Sequence, residues 1–431
     1  MPFPAAQGLG NSLFLVAAGA KLAGNGLKAI GNMINPRLAL DLNEYPFARL
    51  NELISDLPAP KNPIIMSVGE PQGPVPQFAR DIVARDLSLS NKYPPNQGTP
   101  ELCQAIAGWL TRRYGLPDGV VQWNKHVLPL AGSKEGVYNI ATVAVPPQKD
   151  GRKPIVMIPN PFYQAYLGGA VLAGGETLFM NTNAENGFMP DFDSVPVDTW
   201  KRTALVYLCS PGNPQGATAS LPYMQKLIEQ CRRHDAVLAI DECYAEIYND
   251  KPPAGGLQAA LAMDETGGKD PFANVVVFHS LSKRSNAAGM RSGFAAGDPK
   301  IISMLLRWKT YGGPQVPLAI QNAAAALWGE ESHVAAIRGE YQARFQAAKS
   351  ILHNKGGFFM PDGGFFLWLD VGDGEKAART LWAEGGIKVL PGGYVSREVD
   401  GVNPGQRYIR VALVQNLATT RHALTRMSEL L

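Results

Sequence analysis

The sequence has few cysteines, and none of them forms a recognisable pair. The 431 residues include only Cys103, Cys209, Cys231 and Cys243. These positions show no CxxC spacing and no cysteine–histidine spacing of a metal site, so we expect no metal. Thiols scattered through a chain of this size are typical of reduced, mostly buried residues, which indicates a cytoplasmic protein.

The sequence also lacks a large excess of either charge and lacks long apolar runs. Lys and Arg number 40 against 37 Asp and Glu, a net charge of +3, and the basic residues do not gather into runs. This pattern argues against a nucleic-acid partner and against binding to a membrane surface. No uninterrupted apolar run approaches the roughly 18 residues of a membrane span. The remaining expectation is a globular protein that acts on small molecules.

Residues 1–33 differ from the rest of the chain. They are apolar and glycine-rich, and no Lys or Arg precedes the apolar part. A secretory signal peptide would need that basic segment. We interpret this stretch as a disordered extension or as a start assigned too early, with Met33 as the alternative start because a coherent segment begins there.

Apolar runs of strand length alternate with helical patterns over residues 76–317, which predicts an α/β domain with a mostly parallel sheet covered by helices. The predicted strands span 153–159, 176–180, 204–210, 236–242, 274–280 and 292–298. From residue 318 a long helical region leads into strand patterns at 363–371 and 407–414. These predict a smaller α+β domain over 318–431, and we expect residues 34–75 to pack with it.

Polar side chains follow three of the predicted strands directly. Asn213 comes after the strand 204–210, and Asp241 and Tyr244 come at the end of 236–242. The strand 274–280 runs into the sequence SLSK. Ligands of open α/β sheets bind beyond the carboxyl ends of the strands, so we expect these side chains to converge on one cleft.

A pyridine aldehyde that carries a phosphate suits these side chains. Lys283 can form a Schiff base with the aldehyde. A carboxylate such as Asp241 can keep the ring nitrogen protonated, which makes the ring an electron sink. Asn213 and Tyr244 can hydrogen-bond the ring hydroxyl. Hydroxyl groups and a guanidinium suit the phosphate dianion, and the sequence offers Ser280, Ser282 and Arg291.

Two further stretches fit the same ligand. Gly132, Ser133 and Lys134 open a predicted helix, and the free N–H groups of a helix N-terminus bind anions. Tyr163 follows the strand 153–159, where its ring can stack on an aromatic ligand. Phe162 or Tyr166 would take this place if the register differs.

The motifs SPGNPQG, DECY, SLSK and GMRSG resemble those of the fold-type-I aminotransferases that use pyridoxal phosphate. The resemblance covers residues 34–431 and implies that Lys283 is the Schiff-base lysine and that Asp241 pairs with the pyridine nitrogen. It also implies that Arg410 binds the substrate α-carboxylate, with Gly69 and Asn213 beside the substrate. Tyr93 matches a tyrosine that reaches the phosphate of the neighbouring subunit, which implies a homodimer.

Two longer stretches, MINPRLALDLNEYPFARLNEL and FHSLSKRSNAAGMRSGF, are similar to the N-succinyl-diaminopimelate aminotransferases of lysine biosynthesis. This similarity implies glutamate as the amino donor and N-succinyl-2-amino-6-ketopimelate as the acceptor. The distal carboxylate of that acceptor needs a cation, and Lys134, Arg284 and Arg37 are the candidates.

Three alternatives stay open. The chain could act on another amino acid, such as LL-diaminopimelate, aspartate, alanine or an aromatic one. The same cofactor also supports a lyase reaction, because the cofactor carries the chemistry and the protein steers it. The third alternative is a cofactor-sensing domain of a transcription regulator, which the sequence disfavours because residues 1–33 are too short and too uncharged for a DNA-binding module.

Overall fold

The computed structural model describes residues 35, 37–40, 42, 45–263, 270–355 and 357–431. The expectation for residues 1–33 lies outside this range. The strands are β1 (Ile64–Ile65), β2 (Val127–Leu130), β3 (Ile155–Asn160), β4 (Glu176–Asn181), β5 (Thr203–Cys209), β6 (Val237–Asp241), β7 (Val275–Ser280), β8 (Gly293–Gly297), β9 (Phe366–Asp370), β10 (Ile387–Lys388), β11 (Leu390–Pro391) and β12 (Tyr408–Ala412). The α-helices are Arg37–Leu40, Pro46–Leu53, Gln77–Arg85, Pro100–Tyr114, Trp123–His126, Ser133–Ala144, Gln164–Leu172, Val197–Arg202, Leu221–Arg233, Gly256–Leu261, Leu281–Arg284, Pro299–Gly312, Leu318–Gly329, Ser332–Leu352, Gly374–Gly385 and Leu417–Leu430.

The large unit is built on a seven-stranded sheet in the order β2-β8-β7-β6-β5-β3-β4. Strands β3 to β7 are mutually parallel, and β8 runs antiparallel to both β7 and β2. Every residue of β3 and β7 is buried, as expected for strands covered by helices on both faces. The mostly parallel α/β sheet predicted from the sequence is confirmed, and its six predicted strands are present with ends displaced by at most two residues.

The edge strand β2 was not predicted. Its sequence, VLPL, is short and contains Pro129. A proline inside an apolar run argues against a central strand because it cannot donate to the ladder. At the edge of the sheet, where β2 pairs only with β8, that missing donor is tolerated.

The small unit is an α+β structure around the antiparallel sheet β11-β12-β9. The early part of the chain packs with it. Strand β1 pairs in parallel with β10, and Leu50 and Ile54 pack in one cluster with Trp368 and Trp382. Within the described residues, no helix is both long enough and apolar enough to span a bilayer.

The helix Leu318–Gly329 packs with the large unit, although the sequence placed it in the small one. Leu327 and Trp328 belong to the large hydrophobic cluster, together with Trp109 of the helix Pro100–Tyr114. The helical pattern after residue 317 looked like one continuous region, but the structure divides it into two helices around Glu330. The predicted boundary at residue 317 therefore falls one helix too early for the observed packing.

Candidate active site

A cleft of about 510 Å³ lies at the carboxyl ends of the parallel strands, between the two units. Strands β5, β6 and β7 end here, so the side chains that follow them meet as their order along the chain suggested. The predicted site residues that line this cleft are Gly69, Ser133, Lys134, Tyr163, Asn213, Asp241, Tyr244, Ser280, Ser282, Lys283, Arg291 and Arg410. Gly132 lies directly behind the lining, and Tyr93 does not contribute to it.

Lys283 extends into the cleft from the short helix that follows β7. Its Nζ donates a hydrogen bond to the carbonyl oxygen of Gly69 and lies 5.2 Å from the centre of the Phe365 ring. Burial lowers the pKa of this amine to about 8, because the charged form is poorly solvated. A neutral fraction of the amine is therefore available near neutral pH for attack on a carbonyl or for proton abstraction.

Asp241 is buried at the end of β6 and held by two hydrogen bonds. The hydroxyl of Tyr166 donates to Oδ2 at 2.7 Å, and the N–H of Cys243 donates to Oδ1 at 3.2 Å. Tyr166 is itself stacked on Tyr207, with ring centres 4.6 Å apart. Burial raises the pKa of the Asp241 carboxyl above its usual range. A protonated ring nitrogen in the cleft would supply the positive charge that this carboxylate lacks.

Tyr166 was considered from the sequence only as a substitute for Tyr163 in stacking. The structure gives it a different place, as the hydrogen-bond donor to Asp241. Tyr163 lines the cleft, with its ring perpendicular to that of Tyr166 at 5.7 Å. Burial raises the phenol pKa of Tyr163 and of Tyr244, so both hydroxyls stay protonated and can donate hydrogen bonds.

Arg410 is a buried cation with neutral hydrogen-bond partners. Its guanidinium donates to Asn213 Oδ1 at 3.2 Å and to the carbonyl oxygen of Ser67 at 2.9 Å. It also lies over the ring of Phe366, 4.4 Å from its centre. Burial lowers the pKa of Arg410 to about 10, which leaves it charged at neutral pH. A buried guanidinium of this kind suits a substrate carboxylate, which it can bind with two parallel hydrogen bonds.

Groups suited to a phosphate gather at another part of the cleft. Ser280 and Ser282 have hydroxyl oxygens 2.9 Å apart, and both line the cleft. Gly132 precedes the helix Ser133–Ala144 with a φ of +85°, and a Cβ there would overlap the guanidinium of Arg291. Arg291 in turn donates to the carbonyl oxygen of Ala131 at 3.2 Å. Two hydroxyls, a guanidinium and a helix N-terminus are together the donors that a phosphate dianion needs.

The three cations suggested for a distal carboxylate occupy different places. Arg284 is buried outside the cleft, where it donates to the carbonyl oxygen of Leu327 at 2.7 Å and pairs with Glu331. Arg37 is exposed and donates to the carbonyl oxygen of Leu172 at 3.4 Å, also outside the cleft. The prediction that Arg284 or Arg37 contacts the substrate is therefore not supported. Lys134 is exposed at the cleft wall.

Sequence reasoning did not assign several cleft residues to the site, although Tyr45, Pro46 and Phe47 lie within the stretch MINPRLALDLNEYPFARLNEL. They come from segments that are distant in the chain from the strand ends, so no local pattern links them to the cleft. These residues include Tyr45, Pro46, Phe47, Glu70, Phe366, Leu390 and Val395. Within the described part of the chain, no cluster of His, Cys, Asp or Glu could hold a metal ion.

The chain is similar to known proteins over most of its length. The family model for aminotransferases of class I and II matches residues 61–427. The LL-diaminopimelate aminotransferase of Moorella thermoacetica is 31% identical over 408 residues, which cover 93% of this chain and 99% of that protein. Its counterpart in Nitratidesulfovibrio vulgaris is 30% identical over 400 residues, 90% of this chain and 97% of that protein.

A solved structure gives the same picture. The crystal structure of an aminotransferase from Neisseria meningitidis matches with a TM-score of 0.86 and 38% sequence identity. The match covers 92% of this chain and 100% of that chain. The similarity thus extends over both the large and the small unit.

Proposed function

Because the chain belongs to the class I and II aminotransferases, which use pyridoxal phosphate, we propose that it moves an amino group between glutamate and N-succinyl-2-amino-6-ketopimelate. The observation that carries the proposal is the meeting of Lys283, Asp241 and Arg410 in one cleft. An amine of lowered pKa, a buried carboxyl and a buried guanidinium are the groups that amino transfer from an α-amino acid requires.

The residues of the cleft fit the cofactor. We assign the aldehyde end to Lys283, the ring nitrogen to Asp241, and the phosphate to Ser280, Ser282 and Arg291 together with the turn 132–134. Tyr163 is assigned to the face of the ring, and Asn213 and Tyr244 to its hydroxyl. When bound, pyridoxal phosphate supplies an electron sink for the negative charge that develops at the substrate α-carbon.

The protein's own side chains then orient the substrate and move its proton. Arg410 binds the α-carboxylate in place of its present bonds to Asn213 and to the carbonyl of Ser67. This fixes the α-carbon in the cleft near Lys283. The neutral amine of Lys283 takes the proton from the substrate α-carbon, since its lowered pKa suits a general base near neutral pH. The same amine would return the proton to the aldehyde carbon of the bound cofactor.

Lys134 is the proposed contact for the distal succinyl carboxylate. Of the three cations considered, it is the one that lines the cleft. The substitution Lys134→Glu should raise the KM for the succinylated substrate much more than the KM for glutamate. Only the succinylated substrate carries a succinyl carboxylate that extends far enough from the α-carbon to contact Lys134. An equal rise for both substrates would instead indicate that Lys134 serves the phosphate.

LL-diaminopimelate is the second candidate substrate, and the names of the curated relatives favour it. A single-turnover measurement separates the candidates. Cofactor-loaded protein is mixed with one equivalent of glutamate, N-succinyl-LL-diaminopimelate, LL-diaminopimelate, alanine or aspartate, and the released keto acid is quantified.

The proposal expects rapid keto-acid release from glutamate and from the succinylated compound alone. Release from LL-diaminopimelate and glutamate would support amino transfer but would replace N-succinyl-2-amino-6-ketopimelate by the keto acid of LL-diaminopimelate as the acceptor. In a separate reaction with a cysteine-like substrate, formation of pyruvate and ammonia would show a lyase instead. No keto acid from any amino acid would refute the assignment of Lys283.

We also propose that the protein is a homodimer in which Tyr93 completes the phosphate site of the neighbouring subunit. The side chain is 99% exposed in the single chain, in spite of its aromatic ring. Co-expression of Tyr93→Phe and Lys283→Ala chains tests this arrangement. If the site is shared, mixed dimers contain one intact site and regain activity that neither parent shows, whereas unshared sites would leave the mixture no more active than the average of the parents.

A further inference from the structure

A buried ion pair lies behind the turn that leads from β2 into the helix Ser133–Ala144. Glu135 is in the first turn of that helix, and Lys309 is in the helix Pro299–Gly312. Nζ of Lys309 lies 3.0 Å from Oε1 and 3.3 Å from Oε2 of Glu135, and both side chains are almost fully buried. Neither residue lines the cleft, so neither side chain contacts a ligand there.

The pair is connected to the cleft through the backbone of Ala131. Oε2 of Glu135 accepts a hydrogen bond from the N–H of Ala131, and the carbonyl oxygen of Ala131 accepts one from Arg291. Glu135 thus holds the N–H of Ala131, and Arg291 holds its carbonyl oxygen. Glu135 therefore helps to fix the conformation of the turn 131–133. That conformation in turn sets the direction of the first N–H groups of the helix.

Lys309 holds Glu135 in place and pairs with its carboxylate. Its ammonium group donates to both carboxylate oxygens and, at 2.5 Å, to the carbonyl oxygen of Pro314. Without Lys309, Glu135 would be a buried carboxylate with no compensating cation, located one turn from the groups assigned to a phosphate dianion. Like charges at that distance oppose each other, and a buried unpaired charge also drives its surroundings to rearrange.

We propose that Lys309 is a positioning residue for the cofactor phosphate, which acts by holding and neutralising Glu135 behind the turn 131–133. The inference rests on the assignment of this turn to the phosphate in the proposed function. It predicts that loss of Lys309 weakens the recognition of the phosphate group specifically, and not the affinity of the cleft for the pyridine ring.

The test compares pyridoxal phosphate with pyridoxal, which lacks the phosphate. Dissociation constants for both compounds are measured with the full chain after removal and re-addition of the cofactor, for the wild type, Lys309→Met, Glu135→Gln and the double variant. We expect Lys309→Met to reduce the preference for pyridoxal phosphate by about tenfold or more, the scale of a lost hydrogen bond to a charged group. Its affinity for pyridoxal should stay unchanged.

The Glu135→Gln variant keeps an acceptor for the N–H of Ala131 and carries no charge, so its preference should fall less. The double variant should resemble Glu135→Gln and not Lys309→Met. Lys309→Arg, which keeps the charge, should retain most of the preference and provides a folded variant if Lys309→Met is unstable.

Lys149 offers a matched control. Its ammonium group also makes three hydrogen bonds, at 2.6, 2.9 and 2.7 Å, to the backbone carbonyls of Thr203, His234 and Asp235. These lie outside the cleft lining. Lys149→Met should lower thermal stability without changing the ratio of the two dissociation constants.

The outcomes distinguish the assignment of the phosphate site from the proposed role of Lys309. A wild-type protein that binds pyridoxal as tightly as pyridoxal phosphate would overturn the phosphate site itself. A wild type with a clear preference that Lys309→Met leaves intact, or that Lys309→Arg or Lys149→Met reduces as much as Lys309→Met does, would overturn the role of Lys309 alone.

Discussion

The lowered pKa of Lys283 leads to a quantitative prediction. An ordinary lysine has a pKa of 10.5, whereas burial lowers the pKa of Lys283 to about 8. At pH 7 about one tenth of the Lys283 side chains are then neutral, against about three in ten thousand for an ordinary lysine. The nucleophilic form is therefore enriched roughly 300-fold in the cofactor-free protein.

The assay is acetylation of the cofactor-free protein with brief pulses of acetic anhydride between pH 6 and 11. Mass spectrometry gives the modified fraction at Lys283 and at Lys92, an exposed lysine that serves as the internal reference. Only the neutral amine reacts, so the rate at Lys283 should rise about tenfold per pH unit up to about pH 8 and then level off. Restricted access of the reagent changes the height of this curve but not its midpoint.

A variant at Glu70 tests the electrostatic part of the argument. The negative charge of Glu70 favours the protonated form of Lys283 and opposes the effect of burial. Glu70→Gln should therefore move the midpoint at Lys283 to lower pH, while the profile at Lys92 stays where it was. An acetylation rate at Lys283 that keeps rising about tenfold per pH unit up to pH 10 would refute the reasoning, because burial would then not control this amine.

Three substitutions test other parts of the site. Asp241→Asn removes the negative charge assigned to the ring nitrogen and should lower kcat about a hundredfold at full cofactor occupancy, which steady-state kinetics can measure; an unchanged kcat would remove Asp241 from the mechanism. Arg410→Lys loses the planar fork and should raise the KM for amino-acid substrates about tenfold, with a smaller effect on kcat. Gly132→Ala places a side chain at a φ of +85° against Arg291 and should lower the free energy of unfolding by about 1–3 kcal/mol in denaturant titrations; an unchanged value would show that the turn adapts freely.

The parts of the fold that follow from local pattern were predictable. Strands β3, β5, β6 and β7 are nearly continuous apolar runs, which is the pattern of strands buried on both faces. The direction of β8 was not predictable, since antiparallel and parallel strands can share the same composition. It depends on how the connection from β7 returns to the sheet, which the sequence of the strand does not specify.

In the site, too, features that depend on local sequence could be predicted, and contacts between distant segments could not. The place of Asp241 and Lys283 in the cleft could be predicted because each lies at the end of a strand or within three residues of it, and strand ends meet at one edge of the sheet. The bond from Tyr166 to Asp241 joins residues 75 positions apart, and that from Lys309 to Glu135 joins residues 174 apart. Such pairs depend on how helices pack on the sheet, and periodicity within either segment carries no information about its partner.

The charges of the cleft explain why the composition of the whole chain revealed little about the ligand. The chain is nearly balanced, yet the cleft lining holds four cationic side chains, Lys134, Lys283, Arg291 and Arg410, against the carboxylates of Glu70 and Asp241. Burial lowers the pKa of both Lys283 and Arg410, so the cleft alone is an unfavourable environment for its own cations. In the proposed function, a phosphate dianion and a substrate carboxylate would supply the missing negative charge. The same cations that are unfavourable in the cleft alone therefore favour the bound state, and the stability that the folded protein gains from a ligand rises with the logarithm of its free concentration above the dissociation constant.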